Sequence, residues 1–297
     1  MSFVQELEAI RDGVGLFDAD SYGQIRISGP DAPAFLHRMT SNEVLKRPVG
    51  EGFYNAILDR KGMVRSLFYM IRSAEAEFLL ITPPQLREKT CKILTMMKLA
   101  EKVTVEDQSA DRRLVMLVGP GSEKDQKVPG TFWSWTENTF GVPVVNLSGP
   151  VEEMERWKRE VTATPLSPEA IKLLQIKAGF PEYGVDIDES HILLEARLPY
   201  TYQRQKGCYP GQEVVERILT YGKGRTPKSL CRLTAEGEQT IAPKTEIFSN
   251  PGEKAGHITS ELFDPLENKT FLLAYLDHKF VDGASHVRKQ EDRLILA

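Results

Sequence analysis

The sequence predicts an α+β fold followed by a small all-β unit, on two observations. Up to about residue 222, apolar alternation of period 2 is interleaved with helical spacing of 3.6, the mixture expected of antiparallel sheets covered by helices. From Lys228 onward, short alternating runs separated by turn residues take over, as in a small barrel. At 297 residues, the chain is long enough for two or three cores, and its 41% hydrophobic and 27% charged content is that of a globular protein.

The elements follow in order. Ser2 with Gln5 makes a capping box; Phe3, Leu7 and Ile10 mark one helical face, and Gly13 ends it. Ile25 and Ile27 alternate with polar residues as in a half-buried strand, and Asp31 can cap a helix carrying Phe35, Leu36 and Met39. Residues 53–58 read as a strand, 59–62 as a turn, 63–71 as a second strand and 78–81 as a third. Pro84 opens a helix with Leu86, Thr90, Ile93, Leu94 and Met97 at helical spacing. Val103 with Val105, and residues 114–118, form further strands.

Residues 119–141 are rich in Gly, Pro, Ser and Thr and read as an irregular excursion. Their Phe132-Trp133-Ser134-Trp135 is either a binding platform or a pin holding the excursion to the core. Residues 152–161 and 168–178 are helical, the second with Ser167 as cap, Pro168 at the first position and Gly179 past the end. Strands at 230–233, 246–248, 256–259, 271–276, 286–288 and 294–296 complete the chain, with a turn at Asn250-Pro251-Gly252.

One stretch fits neither period: Lys206-Gly207-Cys208-Tyr209-Pro210-Gly211-Gln212-Glu213. Its glycines and proline frame Cys208 in a stiff, irregular loop. Six basic residues against two acidic ones give +4 from Arg204 to Lys228, within a chain of net charge −4. Neighbouring cations favour thiolate over thiol and draw anionic ligands. The plainer reading of Cys208 is a small buried hydrophobe, and Tyr209 reads as packing.

Composition excludes several classes. Three dispersed cysteines, Cys91, Cys208 and Cys231, indicate a reducing compartment and fall short of the four thiolates an iron–sulfur cluster usually needs. The five histidines show no metal-ligand spacing. The net negative charge argues against broad nucleic-acid binding. The opening MSFVQELEAIRDG lacks a basic start and an apolar run, and no segment approaches the ~20 residues needed to span a bilayer, so a cytoplasmic protein is expected.

The stretch at 206–213 resembles the signature of the YgfZ-type folate-binding proteins, which support iron–sulfur enzymes. Gly15-Leu16-Phe17-Asp18, Gly29-Pro30-Asp31-Ala32, the run from Ala178 to Asp188 and Gly256-His257-Ile258-Thr259-Ser260 resemble motifs of the wider superfamily that includes the glycine-cleavage aminomethyltransferase, or T-protein. The resemblance implies a three-lobed ring: two α+β, ferredoxin-like lobes and a C-terminal six-stranded β-barrel, with tetrahydrofolate or a derivative in the central hole. It implies a discontinuous first lobe at 1–50 and 115–222, a second at 51–114 and the barrel at 223–297. It implies partners as well: folate, and iron–sulfur client or assembly proteins, including the iron–sulfur enzymes that modify tRNA.

The site residues expected on this basis are Cys208 and Lys206 for chemistry, with Lys206 and Arg204 keeping the thiol ionised. Tyr183, Gly184, Arg204, Gly207, Tyr209, Gly211, Gln212, Glu213 and Arg217 are expected around the folate, and no resident metal. The chain departs from the aminomethyltransferase pattern in two places. Arg65 and Ser66 stand where that family places its acid pair, and Lys177 stands at its pteridine-binding glutamate. Neither an arginine nor an ammonium accepts a hydrogen bond. An accessory folate-binding role is therefore expected, with aminomethyl or other one-carbon transfer as the alternative. That alternative needs a surrogate carboxylate, for which Asp59 and Glu195 are the candidates.

Overall fold

The computed structural model describes residues 2–124, 127–249, 252–282, 284–290 and 293–296. The chain opens with helix α1 (Phe3–Asp12), capped at Ser2 by the expected reciprocal pair with Gln5, and strand β1 (Gly15–Asp18). Strand β2 (Gly23–Ser28) and helix α2 (Ala32–Met39) follow. Asp31 does not cap α2 with its side chain; its carboxylate accepts from the Lys102 amide at 2.8 Å. A meander of β3 (Gly52–Leu58), β4 (Val64–Ala74) and β5 (Glu77–Thr82) leads through a 3₁₀ turn at Pro84–Leu86 into α3 (Arg87–Met97) and β6 (Thr104–Asp107).

These strands form a five-stranded sheet in the order β3-β4-β5-β2-β6. Both faces are buried, and the period of two sorts the side chains. Phe68 and Met70 of β4 and Phe78 and Leu80 of β5 join Phe35, Leu36 and Met39 of α2 in one core. Tyr69, Ile71, Leu79 and Ile81, on the opposite face, join a second core. β2 pairs with β5 along its whole length and with β6 from Ile25 to Ser28, and α2 packs into the core of the same sheet.

The next elements are β7 (Arg112–Val118), β8 (Trp133–Glu137), β9 (Val144–Pro150), α4 (Val151–Lys158), β10 (Thr164–Pro165) and α5 (Pro168–Ala178). Their sheet runs β10-β1-β7-β9-β8. The excursion predicted at 119–141 therefore contains a strand: Trp133-Ser134-Trp135-Thr136-Glu137 alternates and pairs antiparallel with β9. α5 matches its prediction, with the Ser167 hydroxyl accepting the Ala170 amide and Gly179 left-handed at φ 75°. After α6 (Gln212–Thr220), the remaining strands are β11 (Lys228–Glu236), β12 (Glu246–Phe248), β13 (Lys254–Asp264), β14 (Lys269–Asp277), β15 (Val287–Gln290) and β16 (Arg293–Leu296). They form a six-stranded sheet in the order β11-β14-β13-β12-β16-β15, nearly closed by a bridge between Thr234 and His286. The predicted turn at Asn250-Pro251 lies outside the described residues.

One core joins the three units: Tyr69 and Ile81 from the first sheet described, Leu114 and Met116 from the second, Ile171 and Leu174 from α5, and Leu273 and Tyr275 from the barrel-like sheet. No helix among the described residues is long and apolar enough to cross a membrane.

Candidate functional site

A cavity of about 640 Å³ opens where these units meet. Tyr54, Tyr69, Trp135, Phe140, Phe180 and Tyr183 line it with aromatic surface. Five of these rings are connected: Tyr54 meets Tyr69 edge-on at 4.9 Å, Tyr69 stacks on Trp135 at 5.9 Å, and Phe180 contacts Tyr54 at 5.2 Å and Phe140 at 5.5 Å. Such walls suit a flat heteroaromatic ligand, since offset and edge-on ring contacts are favourable.

Glu137 also lines this cavity. Oε2 accepts from the Tyr54 hydroxyl and the Thr139 hydroxyl, each at 2.9 Å, and Oε1 accepts from Asn146 Nδ2 at 2.9 Å. Burial pushes the Glu137 carboxyl up from the ordinary range, and these three donors pull against it. Sequence reasoning missed Glu137 because its flanks read as a loop. The alternation Trp133, Trp135, Glu137 was the available signal.

Of the expected folate ligands, Tyr183 lines the cavity, its phenol pushed up to about 12 by burial. Gly184 sits in the adjoining turn with φ 90°, its amide donating to Ile187 O at 2.8 Å. Neither Gly184 nor any residue of 204–217 lines the cavity. The 206–213 loop instead packs between α2 and the β3–β4 turn. Lys206 is buried at 8% exposure; its Nζ donates to His37 O and lies 5.1 Å from the Tyr209 ring centre. Burial brings this ammonium down to about 8. His37 Nε2 contacts Lys206 O at 2.7 Å. Gly211 caps α6 at φ 80°, where a Cβ would stand 2.5 Å from Asp59 O.

Cys208 is exposed, whereas Cys231 is buried and Cys91 partly so. Arg204 pairs with Glu216 at 2.9 Å and donates to the Thr220 hydroxyl at 3.0 Å. Gln212 and Glu213 form the first turn of α6, and Arg217 is exposed on its last turn.

The two departures take definite form. Arg65 pairs with Glu189 at 2.7 Å, and Lys89 bonds both Glu189 and the Tyr183 hydroxyl. Ser66 is buried against the Thr90 hydroxyl at 2.6 Å. No carboxylate stands at either position. Lys177 is bound to Asp264 at 2.8 Å and to Glu267. It lies about 200° round α5 from Gln175, which does line the cavity. The candidate surrogates are likewise occupied: Asp59 holds its turn by accepting from Lys61 and Met63 amides, and buried Glu195 accepts from the Ile192 amide. Neither lines the cavity.

Residues 1–126 match the family model described as the GCVT N-terminal domain. Proteins named aminomethyltransferase are similar along the chain. That of Rubrobacter xylanophilus is 27% identical, covering 91% of this chain and 78% of its own length. That of Thermus thermophilus is 26% identical, covering 93% and 83%. That of Thermosipho melanesiensis is 23% identical, covering 95% and 83%. The crystal structure of the glycine cleavage system aminomethyltransferase T from Bartonella henselae superposes with a TM-score of 0.85 at 18% identity, covering 99% of this chain and 86% of that one. The chain is thus similar to glycine-cleavage aminomethyltransferases along most of its length, and it shares their fold.

Proposed function

We propose that the chain binds a tetrahydrofolate in the central cavity and acts as a folate-binding accessory protein for iron–sulfur cluster assembly or repair. The observation that carries folate binding is the aromatic box with the half-buried Glu137 carboxylate, held by three donors, at its wall. The accessory role rests on the resemblance of 206–213 to the YgfZ-type signature and on exposed Cys208. The Arg65–Glu189 pair and buried Ser66 support the same reading, since they leave the usual acid position without a proton-handling group. Calorimetric titration with 5-formyl-tetrahydrofolate tests folate binding.

Aminomethyl transfer is the second reading, and the names of the relatives favour it. An absent general acid/base costs about 10²–10⁴ in rate. An assay of methylene-tetrahydrofolate formation from an aminomethyl-lipoyl donor separates the two readings. No turnover is expected; turnover at an ordinary enzymatic rate of roughly 1 s⁻¹ or more overturns the accessory reading.

A further inference from the structure

We infer that the cleft between the loop after α6 and the turn after β14 binds a diphosphate group, at a site separate from the central cavity and independent of folate. Its volume is about 490 Å³, within the range of small-ligand pockets. Three short segments build it. Arg197 closes the 3₁₀ turn at Leu193–Ala196, residues 223–226 follow α6, and residues 278–282 follow β14. The His278 amide donates to Pro227 O at 3.0 Å and so ties the second segment to the third.

The charge of the lining is one-sided. Arg197, Lys223, Arg225 and Lys279 stand against one carboxylate, Asp282. Lys279 also pairs with Glu253, but Arg197, Lys223 and Arg225 form no ion pair among the described residues. The Arg197 guanidinium donates to the Cys231 sulfur at 3.8 Å, a weak acceptor that leaves most of its five N–H groups open. Arg197 and Lys223 both hold left-handed backbone, at φ 55° and 52°, a region that non-glycine residues rarely adopt. A cleft lined by one sign of charge concentrates the opposite ion.

The lining also narrows the kind of anion. No Phe, Tyr or Trp lines the cleft, so a pterin or nucleobase finds no such ring to stack on. Leu194 and Val281 supply its only apolar side chains. Two guanidiniums offer planar forks that match phosphate oxygens, and two ammoniums add point charges. A carboxylate brings one negative charge, whereas a phosphoryl group brings roughly 1.5 to 2 near neutral pH. Two linked phosphoryl groups therefore come nearest to balancing these cations. The group is either the free anion or part of a diphosphate ester.

The probe is inorganic diphosphate, titrated calorimetrically without divalent metal at about 0.15 M salt, where the Debye length is about 8 Å. Saturable one-to-one binding is expected. A hydrogen bond to a charged group is worth roughly 10- to 100-fold in affinity, so Arg225→Gln and Lys223→Gln should each weaken binding by about tenfold or more. Both side chains are exposed, so neither change threatens the fold. Lys92→Gln, which removes the same charge from the exposed side of α3, should leave binding unchanged. Citrate, which offers carboxylates in place of phosphoryl groups, should bind more weakly by about tenfold or more. ADP separates the two sources: binding no tighter than that of diphosphate assigns the cleft to the free anion, and tighter binding assigns it to an ester. No saturable binding of diphosphate or ADP up to millimolar concentration overturns the inference. So does equal binding of citrate, or a loss in Lys92→Gln that matches the loss in Arg225→Gln. A separate titration with 5-formyl-tetrahydrofolate reads the central cavity, so this inference and folate binding fail independently.

Discussion

At the residue scale, Glu137 makes two opposite predictions about pH. Its carboxyl is raised by burial, so the folded chain holds its proton to higher pH than the unfolded chain does. Its contribution to stability is therefore complete below the unfolded value and declines as pH rises through the folded one. Folate affinity runs the other way, because only the ionised form offers both oxygens as acceptors. Affinity should fall as pH is lowered through the same window, and Glu137→Gln should flatten both profiles. Parallel slopes in wild type and variant, in titrations and thermal melts across pH 4 to 8, contradict this assignment.

The cysteines differ as sharply. Cys91 is pushed up to about 11 by burial, and burial also raises Cys231 against the nearby Arg197. Cys208 is exposed. It should alkylate first with iodoacetamide, read site by site by mass spectrometry. Equal rates for the three thiols in the folded chain remove the basis for a reactive loop.

At the element scale, α6 and its loop depend on backbone that only glycine adopts easily. Gly211→Ala asks alanine for φ 80° and drives a Cβ to 2.5 Å from Asp59 O. The strain alone is worth about 1–3 kcal/mol, so the urea midpoint should fall by at least that equivalent. The segment around Tyr183 is fixed to the barrel-like sheet by buried Asp186. Its Oδ1 accepts from the Thr259 and Ser260 hydroxyls at 2.5 and 2.7 Å, and Oδ2 accepts from the Glu182 amide at 2.9 Å. Asp186→Ala strands these donors, and a buried unsatisfied group costs about 1–3 kcal/mol. Unchanged stability in denaturant titration would show the clamp to be dispensable.

Elements with strong local signals were legible in advance. α5 carried a cap, a first-turn proline and a terminal glycine, and the β3–β5 meander carried long apolar runs. β8 was not, because five alternating residues lie between Gly- and Pro-rich flanks and gain their strand character from pairing with β9. The candidate site was less legible still. The Tyr54–Glu137 bond spans 83 residues of sequence, and no local pattern announces it. The 206–213 loop stood out by its composition, yet composition could not say that Lys206 turns inward or that Arg204 belongs to Glu216.

At the scale of the whole molecule, three sheets share one core, and the cavity is the space their packing leaves. The positive charge predicted for 204–228 is dispersed by the fold. Lys206 is internal, while Lys223 and Arg225 join Arg197 and Lys279 along a separate cleft of about 490 Å³. Polyglutamylated folate should gain affinity over the monoglutamate at low ionic strength, where the Debye length exceeds about 10 Å. Arg225→Glu should reduce that gain; equal binding of the two forms at low salt rules out a part for these cations.

Folate binding in the central cavity is tested most directly by isothermal titration of the wild-type chain with 5-formyl-tetrahydrofolate. Saturable one-to-one binding, weakened when Glu137 is changed to Gln, is the predicted result. Absence of saturable binding up to millimolar folate, with the chain shown to be folded, would contradict it.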